Sequence, residues 1–264
     1  MDGSSTRASS ELLLRNWREG TVIDALPAPL RPADRAEGYA IQALLEHAGI
    51  GALRGWKIAA TSTAGQRHIG VDGPLAGRLL ASMVHRDGAT IALGANRMRV
   101  AEPEFAFRMG HDLPPRAQPW SVDEVMARVV ALHLAIEVPD SRFADFASAG
   151  AAQLVADNAC ADQFVLGPEA PPAWRDLDLA AHVVIGRVGD RAPREGRGAN
   201  VLGDPRIALA WLANELSRHG MVLAAGQFVT TGTCMQPLEI GPGDDVLADF
   251  GSLGRVSLRF AGPA

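Results

Sequence analysis

Hydrophobic positions recur at helical spacing near the start of the chain, first at Leu12, Leu13, Leu14 and Trp17, then from Ala33 through Ile41, Leu44 and Leu45. Pro27, Pro29 and Pro32 separate the two sets. Residues 1–50 therefore read as a helical N-terminal region packed on a main domain over 51–264. Two further helices are marked. Ser121-Val122-Asp123-Glu124 has the form of a capping box, and Val125, Val129, Val130 and Leu132 extend it to a predicted helix over about 121–132. Asp204 as N-cap and Pro205 in the first turn open another, which runs through Ile207, Leu209, Trp211, Leu212 and Leu216 to His219-Gly220.

The remaining apolar runs are short and bounded by Gly, Pro and Asp, as strands are. They cover Val100 to Arg108, Leu134 to Val138, Gln227 to Thr231, Val246 to Phe250 and Ser257 to Phe260, with a turn at Gly241-Pro242-Gly243-Asp244. Polar residues 186–198 read as a hairpin tip or mobile loop. Strands outnumber helices after residue 55 and follow one another in hairpin fashion, so the class is α+β rather than strictly alternating βαβ.

At 264 residues, 47% hydrophobic and 21% charged, the chain has enough apolar material for a large core and too little charge for disorder. Its net charge of −5 excludes nucleic acid and anionic membrane as natural partners, since both select basic surfaces. The N-terminal residues lack the pattern of a signal peptide and no run reaches the roughly 18 apolar residues of a membrane span, which leads us to expect a soluble, cytoplasmic protein. Cys160 and Cys234 form no CxxC, so neither a disulfide framework nor a zinc site is indicated.

Against this background three acidic residues stand out. Glu102 and Glu104 in Val100-Ala101-Glu102-Pro103-Glu104-Phe105, and Glu137 in Ala135-Ile136-Glu137-Val138, lie inside apolar runs. A buried carboxylate costs several kcal/mol unless it is neutralised. If residues 100–108 are a strand, Glu102, Glu104 and Ala106 share one face while Pro103, Phe105 and Phe107 share the other. Pro103 then suits an edge or irregular position. A hard cation such as Mg²⁺ or Mn²⁺ would relieve the repulsion and keep coordination positions open for a ligand. The pattern is equally compatible with solvated glutamates and a Glu137 paired to Arg142. Lys57, alone in the apolar strand Gly55-Trp56-Lys57-Ile58, would hold a carboxylate or move a proton, with desolvation lowering its pKa; or it snorkels to solvent. Residues 66–77 are rich in Gly and read as a loop able to approach a ligand. His68 and His133 carry no special signal.

Seven motifs in order resemble one known family. They are Gly55-Trp56-Lys57-Ile58 with Thr61-Ser62, Gly70-Val71-Asp72-Gly73-Pro74, Glu102-Pro103-Glu104, Ile136-Glu137-Val138 with Ser141-Arg142, Val155-Ala156-Asp157-Asn158-Ala159, Gly196-Arg197-Gly198 with Leu202-Gly203-Asp204-Pro205, and Thr230-Thr231-Gly232. From about residue 50 onward the chain is similar to the 2-keto-4-pentenoate hydratases and 4-oxalocrotonate decarboxylases of the fumarylacetoacetate hydrolase superfamily. The resemblance implies an α+β fold with a mixed β-roll or sandwich flanked by helices, and a catalytic domain at 51–264. It implies Mg²⁺ or Mn²⁺ held by Glu102, Glu104 and Glu137, and Lys57 as catalytic residue. Leu75, Cys160 and Thr231 would line the pocket for a small 2-oxo acid, and a homo-oligomer is the expected assembly.

Two positions depart from the family pattern. Leu75 stands where many members carry Asp after the loop proline, and Ala59 replaces a glycine. Glu137 as third ligand, where other branches use Asp, points to hydration of a 2-hydroxy-2,4-dienoate. The alternative is decarboxylation of a 2-oxo diacid such as 4-oxalocrotonate, for which Arg67, Arg78 or Arg142 would have to reach the second carboxylate. A non-catalytic homologue that binds a small acid or a partner is the alternative of another class.

Overall fold

The computed structural model describes residues 1–262. The N-terminal region holds α1 (Gly3–Glu19) and α2 (Arg35–Ala43), each started by an aspartate: Asp2 accepts from the Ser5 amide and Asp34 from the Glu37 amide. The later helices are α3 (Thr63–His68), α4 (Val122–Met126), α5 (Ala151–Ala156) and α6 (Pro205–Arg218). The α6 start is as expected, with Asp204 accepting from the Arg206 amide. Among the described residues, no helix is long and apolar enough to cross a membrane.

Among the described residues, thirteen strands build two sheets. Their first seven members are β1 (Leu53–Ala59), β2 (Leu75–Leu80), β3 (Val84–Arg86), β4 (Ala89–Ile91), β5 (Val100–Met109), β6 (Val129–Val138) and β7 (Gln163–Glu169). The rest are β8 (Val183–Val188), β9 (Arg194–Arg197), β10 (Phe228–Thr233), β11 (Leu238–Glu239), β12 (Asp245–Asp249) and β13 (Arg255–Phe260). The larger sheet runs β2-β1-β10-β5-β6-β7-β3, with β11 added along β5; the smaller runs β4-β13-β12-β8-β9. The fold is thus α+β with curled mixed sheets, as the resemblance implied.

The pleat of β5 decides which groups meet. Phe105 turns to the second sheet, its ring 5.2 Å from that of Phe250, edge to face. Phe107 packs with Trp174. The opposite face carries Glu102, Glu104 and Ala106 into the curl of the larger sheet, where Leu79, Ala106, Ala135 and Phe164 form a small apolar floor. Pro103 lies in an interior strand rather than at an edge. It is tolerated because it falls in a gap on one side of β5, between the last β10 pair, Thr233–Glu104, and the first β11 pair, Leu238–Ala101, where no ladder amide is needed.

Three local expectations are corrected. The helix over 121–132 stops at Met126, and residues from Val129 join β6, whose ladder with β5 runs from Glu137–Glu102 to Val129–Met109. Val129, Val130 and Leu132 fit either period, and the long ladder outweighs a short helix end. The loop expected at 66–77 is only 69–74, because Ser62 caps α3 and β2 begins at Leu75. Residues 186–198 cover the end of β8 and all of β9, and only 189–193 form the tip of that hairpin.

Candidate active site

Strand direction gathers the charged groups at one end of the larger sheet. β1 runs parallel to β10, β10 antiparallel to β5, and β5 antiparallel to β6. The ends of β1, β10 and β6 and the start of β5 therefore coincide, and Lys57, Thr230, Glu104, Glu102 and Glu137 stand there on one face. The register pairs Glu102 with Glu137 and Lys57 with Thr230. Leu75 pairs with Ala59 and shares the Lys57 face of the sheet, fully buried. Cys160 lies in the segment after α5, next in sequence to Ala159, whose carbonyl accepts from Lys57.

The carboxylates of Glu102, Glu104 and Glu137 each present an oxygen within 4.8 Å of the others. Glu104 and Glu137 are buried, and Glu102 is half-buried. Glu104 Oε2 accepts from the Thr230 hydroxyl and, at 2.7 Å, from the Gly232 amide. That second bond depends on Gly232 at φ +97°, where any Cβ would fall 2.0 Å from Thr61 Oγ1. Glu104 Oε1 and Glu137 Oε2 have no hydrogen-bond partner, although both are buried. Glu137 Oε1 lies 2.9 Å from Lys57 Nζ, an ion-pair contact without hydrogen-bond alignment. Buried carboxyl oxygens, converging and unpartnered, fit a hard divalent cation.

Burial, and then the neighbouring Glu137, push Glu102 up to about 7. Glu104 is raised well above its ordinary value by burial and then by Glu137 and Glu102, and Glu137 is raised by burial against the pull of Lys57. Lys57 reverses the expectation. Burial alone would lower it, but the charges of Glu137 and Glu102 outweigh the desolvation and raise its pKa, so it remains an ammonium. Nor does it snorkel, being buried and donating to the Ala159 carbonyl at 2.9 Å. Burial, aided by Asp157, pushes the Cys160 thiol up to about 12, so it is no nucleophile at neutral pH.

Thr231 donates to the Phe105 carbonyl, and its neighbour Thr230 is the residue that reaches Glu104. The motif contains both, but only the register says which one faces the carboxylates. Arg142 does not pair with Glu137. It forms a buried pair with Asp157 and donates to the Asp140 and Ala161 carbonyls at 2.9 and 3.0 Å. Arg78 points from the other face of β2, bonded to Glu46 and Gln42 and lying over the Trp56 ring at 4.7 Å. Arg67 is exposed on α3.

Residues 75–261 match the family described as fumarylacetoacetate (FAA) hydrolase, C-terminal. The 2-keto-4-pentenoate hydratase 1 of Dechloromonas aromatica is 35% identical over 260 residues, 97% of either chain. The 2-keto-4-pentenoate hydratase of Burkholderia vietnamiensis is 34% identical over 250 residues, 92% of this chain and 94% of its own. Among solved structures, 4-oxalocrotonate decarboxylase from Pseudomonas putida G7 complexed with magnesium and adipate superposes with TM-score 0.89 at 26% identity over 98% of each chain. The same protein with calcium and acetate gives 0.88. The chain belongs to the fumarylacetoacetate hydrolase superfamily and, within it, to the family of 2-keto-4-pentenoate hydratases and 4-oxalocrotonate decarboxylases.

Proposed function

We propose that the chain is a divalent-metal-dependent lyase that hydrates a 2-hydroxy-2,4-dienoate of the 2-hydroxypenta-2,4-dienoate type. The observation that carries this reading is the convergence of Glu102, Glu104 and Glu137 beside the Lys57 ammonium, with buried carboxylate oxygens free of hydrogen-bond partners. These three residues would hold Mg²⁺ or Mn²⁺. When bound, such an ion supplies a Lewis acid for the carboxylate and 2-oxygen of the substrate and stabilises charge that develops on that oxygen.

The chain's own groups divide the remaining work. Thr230 and the Gly232 amide fix the Glu104 rotamer, leaving its second oxygen directed at the shared centre. Lys57 carries donors beyond the one given to Ala159, and these would hold the substrate carboxylate or hand a proton to the distal carbon of the dienol, whose 2-hydroxyl proton is given up in turn to restore the ammonium. Water then adds to the conjugated enone, its hydroxyl to the far carbon and its proton to the neighbouring one. Leu75, in place of an acid, adds an apolar side chain to this face of the sheet.

The arginines favour hydration over decarboxylation of a diacid. A second substrate carboxylate requires a cation, yet Arg142 is consumed by Asp157, Arg78 by Glu46 and Gln42, and Arg67 is exposed. A panel of 2-hydroxydienoates and 2-oxo diacids, followed by ultraviolet absorbance with and without Mg²⁺ and by mass spectrometry, tests the assignment. The monoacid dienoate is expected to gain one water, only with metal present. Faster loss of CO₂ from a diacid would assign the decarboxylase reaction instead, and metal binding without any turnover would identify a binding protein.

Metal binding also makes a pH-dependent prediction. A carboxyl raised above its ordinary 4.5 favours its protonated form in the fold, so the metal-free protein keeps this contribution below about pH 4.5 and loses it as pH rises toward 7. A cation reverses that loss by stabilising the charged form. Saturating Mg²⁺ is expected to raise Tm by several degrees more at pH 8 than at pH 6, read by calorimetry. Equal shifts at the two values would contradict carboxylate ligation.

A further inference from the structure

Residues 157–160 do something that neither the fold nor the metal site requires. Asn158, Ala159 and Cys160 follow one another at φ +55°, +51° and +61°, three consecutive non-glycine residues in the left-handed region. Such a run is strained and persists only when its surroundings over-determine it. Here both ends are held. Asp157 accepts from the Ser141 hydroxyl at 2.7 Å and from the Arg142 guanidinium and amide. The Asn158 side chain accepts from the Arg78 amide at 2.6 Å and donates to the Arg78 carbonyl at 2.9 Å, pairing with β2 as another strand would. Gly77 makes the approach possible, since a Cβ there would lie 2.3 Å from the Asn158 carbonyl oxygen and 3.1 Å from Lys57 Cδ.

The product of this restraint is one contact: the Ala159 carbonyl faces Lys57 Nζ at 2.9 Å. We propose that the left-handed turn Asn158–Cys160, clamped by Asp157–Arg142 and zipped to β2 by Asn158, positions the Lys57 ammonium for turnover. A neutral carbonyl fixes the direction of one N–H without removing the charge, and Glu137 at 2.9 Å anchors that charge from another side. An ammonium has three donors, so at least one N–H is then left for a ligand. Asn158, Asp157 and Arg142 are positioning residues, acting through Lys57. The inference rests on the assignment of Lys57 as the catalytic cation under the proposed function.

The test uses the full-length chain and compares Asn158→Ala, Asn158→Gly, Lys57→Met and the double variant Asn158→Ala/Lys57→Met. Alanine removes the zipper and disfavours positive φ; glycine removes the zipper but is at home there. Asn158→Ala is expected to lower kcat about tenfold with KM within about threefold and Mg²⁺ affinity by calorimetry within about twofold. Asn158→Gly is expected to restore kcat to within about threefold of the wild type, although both variants lose the same hydrogen bonds and lower Tm. In the Lys57→Met background, Asn158→Ala should change the residual rate less than about twofold, because the two act as a unit. Should Asn158→Ala not fold, Gly77→Ala, which pushes the turn from β2, is expected to show the same kcat loss. Wild-type kcat in Asn158→Ala with a lowered Tm, or equal kcat losses in the Ala and Gly variants, would overturn the positioning role. Undiminished kcat in Lys57→Met would instead overturn the assignment of Lys57 itself.

Discussion

Glu104→Gln is expected to abolish high-affinity Mg²⁺ binding and lower kcat by on the order of 10³-fold, the scale on which removal of preorganised charge stabilisation is felt. The change keeps the volume and removes one charge. Its amide oxygen would stay with the two donors Thr230 and Gly232, since an amide nitrogen cannot accept from them. The NH₂ group then occupies the Oε1 position and aims its hydrogens at the centre shared with Glu102 and Glu137, where a cation would be repelled. Stability should move the other way. Two raised carboxyls remain instead of three, so metal-free Tm at pH 8 is expected to rise by a few degrees while the Mg²⁺-induced shift disappears. Calorimetric titration, thermal melting and the dienoate assay check the three parts separately.

Lys57→Met is expected to lower kcat by roughly 10²- to 10⁴-fold, the range of a positioned proton donor. Methionine retains much of the buried stem. Without the ammonium Glu137 becomes an unpaired buried carboxylate, and breaking such a pair costs about 3–5 kcal/mol. That loss belongs to the metal-free protein. A bound cation would compensate Glu137, and one positive charge fewer at the site favours another, so Mg²⁺ affinity should rise as activity falls. Loss of activity with weakened Mg²⁺ binding would show that Lys57 supports the fold of the site rather than the reaction.

These opposed effects of one substitution follow from a network that the sequence reveals only in part. Glu102, Glu104 and Phe105 could be sorted onto faces because a strand has a period of two, and the aromatic face does meet Phe250 across the sheets. The α6 boundaries were legible because Asp204 and Pro205 act within one turn. What depends on register was not. Whether Thr230 or Thr231 reaches Glu104, and whether Glu137 pairs with Lys57 or Arg142, is decided by the β1–β10–β5–β6 ladder. The same holds for the sign of the Lys57 shift, which turns on carboxylates roughly 45 to 80 residues away in sequence rather than on burial alone. Val129 and Val130 misled because β-branched residues at helical spacing also satisfy a strand, and the β5 ladder claims them. The turn at Asn158–Cys160 carries no glycine to announce its positive φ.

The proposed function requires that Glu102, Glu104 and Glu137 together hold a divalent ion on which turnover depends. Its most direct test is a titration of Mg²⁺ into chelator-stripped protein while the dienoate absorbance is followed. Turnover should be absent at the start, rise with the ion and saturate as one Mg²⁺ binds per chain. Full hydration of the dienoate in excess chelator, unchanged by added Mg²⁺, would contradict it.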